Sequence, residues 1–189
     1  MRTNLLVVDD FYPDPLAIRE FALAQQFEVA GNFPGKRTKP YLSESVKENI
    51  EKILLNAAGK VEWATSALTY TGAFQYTTEE DSSWIHVDTY NTWAGVCYLT
   101  PDAPPSAGTG IFKHKETGFF QKPADEKLAE KLSSEGNDLS KWELIEVMSN
   151  NFNRMVMYRG DLYHRSLDYF GKNKETGRLF QTFFITTGH

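Results

Sequence analysis

A histidine and an aspartate stand two residues apart in the segment 84–90, WIHVDTY, which is otherwise rich in β-branched and aromatic residues. That composition is typical of a β-strand, and the side chains of a strand alternate between its two faces. We therefore expect the imidazole of His86 and the carboxylate of Asp88 to share one face and to be able to bind one cation. A hydrogen bond at the surface is the simpler interpretation, so a metal site needs support from the rest of the chain.

A third metal ligand has three candidates among the remaining histidines. His189 is the last residue, and His114 ends a predicted strand among lysines. His164 follows a Gly-Asp turn that leads into another predicted strand, and we prefer it. Two imidazoles and one carboxylate on one side of an ion leave its other positions open, which is the arrangement of non-haem Fe(II) oxygenases.

The elements that must position these side chains are mostly short strands separated by turn residues. Residues 5–8 form a first apolar strand, and the chain becomes rich in Thr, Tyr, Val, Phe and Trp from about residue 61. The pattern predicts further strands near 66–77, 84–90, 93–100, 109–113, 142–148, 154–159, 162–166 and 178–186.

Two helices precede most of the strands. Asp14 and Pro15 predict the N-cap and first position of one helix. Ser45 begins a capping-box pattern for an amphipathic second helix, which Gly59 closes. A short third helix is predicted over 124–131. Helices followed by many short strands favour a mainly β jelly roll with helices packed on one sheet.

Composition limits the classes of function. The 189 residues, 41% of them hydrophobic, suffice for one domain with a sizeable core. A net charge of −5 argues against nucleic acid as the main partner. The apolar runs are shorter than the roughly 20 residues of a membrane span, and the N-terminal run is too short for a signal peptide. Cys97 is the one cysteine, which suits a cytoplasmic protein.

Several segments, in this order, resemble the Fe(II)/2-oxoglutarate-dependent oxygenase superfamily, particularly its prolyl-hydroxylase-like branch. The segments are VVDDFYP at 7–13, HVD at 86–88, WAGVCYLT at 93–100, GTGIF at 108–112, RGDLYH at 159–164 and RLFQTFF at 178–184. The resemblance implies a double-stranded β-helix, the cupin-like jelly roll, as a single domain over 1–189. Helical support would cover 14–57 and the β core about 61–187. Two departures are a 14-residue interval from His164 to Arg178 and an apparent insertion at 115–141, a candidate region for substrate specificity.

The resemblance also implies roles for individual residues. His86, Asp88 and His164 would bind Fe(II), with 2-oxoglutarate as co-substrate and O2 as oxidant. Arg178 would bind the far carboxylate of 2-oxoglutarate, since guanidinium binds carboxylates bidentately. Thr182 would share its face and donate a hydroxyl hydrogen bond to the same carboxylate.

Other side chains have two interpretations each. Tyr76 and Tyr98 would lie near the co-substrate or belong to the core. Trp84 and Tyr90 would shape the substrate mouth or simply pack, and His114 would line the pocket or lie at the surface.

The expected reaction is hydroxylation of a C–H bond in a small-molecule or peptidyl substrate, with release of succinate and CO2. Two alternatives remain: a cupin-like metal-binding jelly roll that does not use 2-oxoglutarate, and a non-enzymatic binding module. The identity of the substrate and the oligomeric state stay open at this point.

Overall fold

Two antiparallel sheets make up most of the computed structural model, which describes residues 2–63 and 70–188. The large sheet has the order β1-β8-β5-β10-β4-β2, and β3 pairs with β10. Its strands are β1 Leu5–Val8, β2 Lys36–Pro40, β3 Val61–Glu62, β4 Ala73–Thr77, β5 Trp93–Tyr98, β8 Met155–Arg159 and β10 Arg178–Thr187. The small sheet has the order β7-β6-β9, from β6 Thr109–His114, β7 Trp142–Met148 and β9 His164–Ser166. The expected mainly β jelly roll with flanking helices is confirmed.

Three helices accompany the sheets: α1 Pro15–Leu23, α2 Glu44–Ala58 and α3 Glu126–Ser134. The predicted start of α1 is confirmed, because the Asp14 carboxylate accepts a hydrogen bond from the backbone N–H of Ala17. Gly59 ends α2 as predicted, but its N-cap is Ser43 rather than Ser45. The Ser43 hydroxyl accepts the N–H of Val46, whereas Ser45 already lies inside the helix. Among the described residues, no helix is long and apolar enough to cross a membrane.

The large sheet divides the interior into two regions, because its side chains alternate between faces. The outer face, which includes Trp93, Cys97 and Phe183, packs against the buried residues Ile50 and Leu54 of α2. The inner face is lined by a second group of buried side chains: Ala94, Val96, Tyr98, Val156, Tyr158 and Phe180. The same group includes Ile111 and Met148 of the small sheet, so this inner face looks towards that sheet.

The prediction of a continuous β-strand over 84–90 is wrong. Its backbone N–H groups donate to three separate places: Ile85 to Gly136, His86 to His164 and Asp88 to Gly160. Within it, His86 forms an isolated bridge with His164. Residues 66–69 of the strand predicted at 66–77 lie outside the described residues. The sequence pattern also missed β2 and β3.

The segment between β6 and β7 contains α3 and a 3₁₀ turn, Leu139–Lys141. It is tied to the small sheet by Glu135, whose carboxylate contacts the Nε2 of His114 at 2.8 Å and the Nζ of Lys141 at 2.6 Å. This segment, 115–141, is the apparent insertion relative to the family that the sequence resembles. Its backbone contacts the segment 84–90 through the hydrogen bond from the Ile85 N–H to the Gly136 carbonyl.

Candidate active site

A cavity of about 930 Å³ is lined by the inner face of the large sheet, by β6 and β9 of the small sheet, and by the segments 31–34 and 83–91. His86, Asp88 and His164 line it together with Arg178 and Thr182. The structure therefore brings five of the seven predicted site residues to one space.

His86, Asp88 and His164 form a compact group that could hold a metal ion. One ligand atom from each lies within 4.8 Å of the others, and His164 Nε2 is 3.3 Å from Asp88 Oδ2. Reciprocal backbone hydrogen bonds of 3.0 and 2.9 Å join His86 to His164. Asp88 is fixed by its N–H bond to the carbonyl of Gly160, where a Cβ would lie 2.5 Å from the Asp88 carbonyl oxygen. Gly160 thus allows the close approach of two segments that carry ligands.

The hydrogen bonds of both imidazoles engage Nδ1 and leave Nε2 available to a metal. His86 Nδ1 lies 2.9 Å from the Trp84 carbonyl, and His164 Nδ1 lies 2.8 Å from the Leu162 carbonyl. A carbonyl oxygen only accepts hydrogen bonds, so each neutral ring carries its proton on Nδ1. The Nε2 lone pair of each ring is then available, which is how a carbonyl partner normally orients a metal-binding histidine.

The electrostatics of the group also suit a divalent cation. Burial and the neighbouring His164 lower the pKa of His86 to about 4. Burial alone raises the pKa of Asp88, but the hydrogen bond and charge of His164, with smaller contributions from His86 and Arg37, bring it below its usual value. Near neutral pH the site therefore offers a neutral imidazole and an ionised carboxylate, the states that bind metals. The residues present fit a metal ion of the Fe(II) type.

Arg178, the first residue of β10, is a buried cation with donor capacity to spare. It is 1% exposed. Its Nε donates to the Ala107 carbonyl at 2.9 Å and its Nη2 to the Gly108 carbonyl at 3.3 Å. Its Nη1 is buried and has no hydrogen-bond partner among the described residues. A buried, unpartnered guanidinium nitrogen is costly by itself, so an anion such as a ligand carboxylate fits here.

The other three predicted co-substrate residues differ in position. Thr182 lines the cavity, with its hydroxyl 3.1 Å from the Tyr70 carbonyl and 3.2 Å from the Ala73 carbonyl. Tyr98 is fully buried, its ring centroid 5.2 Å from the Arg178 guanidinium carbon and its hydroxyl 2.9 Å from the Thr109 hydroxyl. Tyr76 lies on the outer face of the sheet, where its ring packs edge-on against another aromatic at 5.0 Å. Tyr76 is therefore not brought together with the others.

The residues suggested for the mouth of the substrate pocket lie in different places. Trp84 lines the cavity, with its ring 5.4 Å from that of His86, and Tyr90 lies at the rim with 96% of its surface exposed. His114 is fully buried, but its ring contacts Glu135 and Trp142 rather than the cavity. His189, a weaker candidate for the third ligand, lies outside the described residues.

Several cavity residues were missed by the sequence reasoning, among them Tyr158 and Arg37. The ring of Tyr158 lies 4.5 Å from that of His164, and burial raises the pKa of this tyrosine well above its ordinary value. The inward direction of Tyr158 could have been read from the alternation of its strand. Arg37 lies on β2, for which the sequence gives no apolar alternation, so no signal indicated its position.

Comparison with solved structures shows similarity over nearly the whole chain. HygX from Streptomyces hygroscopicus, solved with nickel and 2-oxoglutarate, aligns with a TM-score of 0.58 and 12% identity, covering 98% of this chain and 84% of that one. A prolyl-4-hydroxylase from Pseudomonas putida gives 0.52 and 13% identity, covering 98% and 94%. A prolyl hydroxylase from Trichoplax adhaerens, in complex with a hypoxia inducible factor peptide, gives 0.55 and 9%, covering 97% and 84%. The chain therefore shares the fold of these proteins over nearly its whole length, and the fold expected from the resemblance is confirmed.

Sequence comparison places the chain in a family without assigning an activity. No curated protein matches the sequence. One family profile matches residues 1–185, which is nearly all of the chain. The chain therefore belongs to the family of unknown function named DUF6445.

Proposed function

We propose that this protein is an Fe(II)- and 2-oxoglutarate-dependent dioxygenase that hydroxylates a C–H bond of a small-molecule or peptidyl substrate, with release of succinate and CO2. The observation that carries the proposal is the convergence of His86, Asp88 and His164 within 4.8 Å in a cavity that also contains Arg178. Both imidazoles are already oriented by carbonyl groups for binding through Nε2.

We assign each component to the residues whose geometry supports its binding. Iron would bind Nε2 of His86 and of His164 and the Asp88 carboxylate. The far carboxylate of 2-oxoglutarate would bind the unpartnered Nη1 of Arg178, with Thr182 and Tyr98 beside it. HygX, which has the same fold, has been solved with nickel and 2-oxoglutarate, and this supports the assignment of both components. When bound, iron and 2-oxoglutarate supply the oxidising chemistry.

The chain itself contributes orientation and a defined ionisation state. The carbonyl groups of Trp84 and Leu162 hold the two imidazoles in one tautomer. Buried apolar side chains of the inner face, including Val96 and Phe180, line the same cavity. Such walls exclude water and strengthen the electrostatic interactions inside the site.

The substrate class is supported only broadly by the structures of similar fold. HygX has also been solved with hygromycin B bound, and the Trichoplax enzyme with a peptide. A cavity of about 930 Å³ is large enough for a drug-sized molecule or a peptide side chain beside the co-substrate. Both substrate types therefore belong to the proposal.

Anaerobic titration with Fe(II) and 2-oxoglutarate tests the proposal directly. The chelate of 2-oxoglutarate on iron gives a weak visible charge-transfer band, which we expect for the wild-type protein and not for His164→Ala. In air, the wild-type protein should also convert some 2-oxoglutarate to succinate slowly without substrate. A folded wild-type protein that gives neither the band nor succinate would refute the proposal. His114→Ala is the matched control, because that histidine is buried outside the cavity.

A further inference from the structure

The cavity contains a second buried arginine whose role the proposed chemistry does not explain. Arg37 lies on β2, is 6% exposed and lines the same cavity as the three candidate metal ligands. Its Nε and Nη2 both donate to Oε1 of Gln75, at 2.8 and 2.5 Å. The Gln75 amide is fixed in turn by donation from its Nε2 to the Pro34 carbonyl at 2.6 Å. One edge of the guanidinium is thus held, while Nη1 has no hydrogen-bond partner among the described residues.

Aromatic rings form a pocket around the Arg37 guanidinium. Its central carbon lies 3.7 Å from the ring centroid of Phe33, 5.2 Å from that of Tyr70 and 5.9 Å from that of Phe184. All three rings line the cavity. Contacts of this kind stabilise a cation and hold its plane in position. They also provide an apolar surface on which the carbon skeleton of a ligand can pack.

Arg37 has no carboxylate partner of its own. Gln75 is neutral, and no carboxylate of the described residues lies within ion-pair distance of Arg37. Asp88 is near enough to interact with it electrostatically, but the Asp88 carboxylate contacts His164 and belongs to the metal group. Burial lowers the pKa of Arg37 to about 10, which still leaves it charged near neutral pH. A buried cation without a counter-charge is unfavourable unless a ligand supplies one.

The charges of the cavity indicate how many anionic groups a substrate would need to bring. Among the described residues that line the cavity, Arg37 and Arg178 are the basic side chains and Asp88 is the acidic one. A divalent metal ion and the dianion of 2-oxoglutarate cancel each other in this count. One net positive charge then remains. We assign it to Arg37, because Arg178 would be paired with 2-oxoglutarate.

We infer that Arg37 binds a single carboxylate group of the substrate, with Phe33, Tyr70 and Phe184 packing around the adjoining part of that molecule. The inference rests on the proposed function and narrows its substrate class to organic acids, including the carboxylate of an amino acid or peptide. A carboxylate suits the remaining charge better than a dianionic phosphate monoester does. Arg37 is then a residue that determines substrate specificity.

Binding of matched acids and amides to the loaded protein tests the inference. The protein is loaded with Ni(II), which blocks turnover, and with saturating 2-oxoglutarate, which occupies Arg178. Phenylacetate, hexanoate and N-acetylglycinate are each compared with the corresponding primary amide by ligand-observed NMR, and phenyl phosphate is added as a dianionic probe. We expect at least one acid to bind about tenfold or more tightly than its amide, as one charge-assisted hydrogen bond would give.

Variants assign that preference to one residue. In Arg37→Gln the acid and its amide should bind within threefold of each other, and Arg37→Lys should keep part of the preference. Arg19→Gln is the control, because Arg19 is a partly buried arginine outside the cavity that donates to the carbonyls of Leu99 and Glu175. Melting temperatures establish that each variant is folded.

Four outcomes would overturn the inference: no acid preferred over its amide, a preference that survives in Arg37→Gln, tighter binding of phenyl phosphate than of every acid, or loss of 2-oxoglutarate binding in Arg37→Gln. Failure of the proposed function looks different, since the wild-type protein itself would then not bind 2-oxoglutarate. The acid–amide comparison is repeated on protein with Ni(II) alone, so the two failures are separable.

Discussion

Replacement of Arg178 by methionine is the sharpest single test of how the co-substrate binds. The guanidinium is 1% exposed, and its Nη1 has no hydrogen-bond partner among the described residues. The two N–H groups of this nitrogen therefore remain available to a ligand. A hydrogen bond to a charged group contributes about 1.5–3 kcal/mol. Loss of one such bond should therefore raise the Kd of 2-oxoglutarate roughly 10- to 150-fold.

The assay is calorimetric titration of 2-oxoglutarate into Ni(II)-loaded protein, with Ni(II) affinity measured separately. Ni(II) affinity should change by less than about threefold, because Arg178 is not one of the candidate metal ligands. Arg178→Met also removes one donor from each of the carbonyls of Ala107 and Gly108, which keep hydrogen bonds from Asn150 Nδ2 and the Leu167 N–H. Arg178→Lys therefore serves as a second, charge-preserving variant. Arg19→Met controls for the loss of a partly buried arginine outside the cavity. A folded Arg178→Met protein with an unchanged Kd for 2-oxoglutarate would refute this reasoning and favour a metal-binding jelly roll that does not use 2-oxoglutarate.

Further expectations concern the metal, the core and the two tyrosines. His164→Ala should weaken Co(II) binding, measured by visible absorption, by 10-fold or more. His114→Ala should still bind Co(II), but loss of its buried hydrogen bonds should lower the stability of the fold by about 1–3 kcal/mol. An equal loss of Co(II) binding in both variants would contradict the ligand assignment. Cys97 is fully buried, and burial raises the pKa of its thiol. A disulfide reagent should therefore modify it only after the protein is unfolded in guanidinium. Rapid reaction of the native protein would contradict the buried position of Cys97. Tyr76→Phe should leave the Kd of 2-oxoglutarate within about threefold of wild type, because Tyr76 packs on the outer face. Tyr98 lies next to Arg178, so Tyr98→Phe should raise the Kd of 2-oxoglutarate more than Tyr76→Phe does. Calorimetry measures both Kd values, and the reverse order would contradict this expectation.

Local sequence signals identified the helix ends well where one side chain decides them. Asp14 followed by Pro15 is such a case, because a capping carboxylate and a fixed φ act within a single turn. The start of α2 was placed two residues late, since Ser43 and Ser45 are both capable caps. Helix boundaries are uncertain by one or two residues when judged from sequence, so the pattern does not decide between them.

The candidate metal ligands were found for a reason that was only partly correct. Alternation along a continuous strand suggested that His86 and Asp88 share a face, yet the segment makes no continuous ladder. Its backbone bonds go to Gly136, His164 and Gly160 in turn. The two side chains converge because these three anchors, distant in sequence, fix the segment. The spacing predicted which residues meet, whereas the means by which they meet depends on tertiary structure.

Arg37 shows why part of the cavity could not be predicted. Strand β2 has the sequence KRTKP, in which charged residues and a proline replace the apolar alternation of a typical strand. It lies at the edge of the large sheet, where it pairs with β4 and, on its other side, only with the isolated bridge residue Val29 among the described residues. Proline is tolerated in such an edge strand. An edge strand of this kind carries no hydrophobic signal, so the inward direction of Arg37 becomes visible only once the register with Gln75 is known.

The two arginines give the cavity a division of roles that follows from their unused donors. Each guanidinium is fixed along one side by neutral acceptors, the carbonyls beside Arg178 and the Gln75 amide beside Arg37, and each keeps Nη1 without a partner among the described residues. Neutral acceptors hold a guanidinium in place without cancelling its charge, so both sites remain able to attract anions. A fold that needed these residues only for stability would gain more by pairing them with carboxylates or by replacing them with apolar side chains. Anionic ligands would neutralise both buried cations, which is why we assign one arginine to the co-substrate and the other to an acidic substrate.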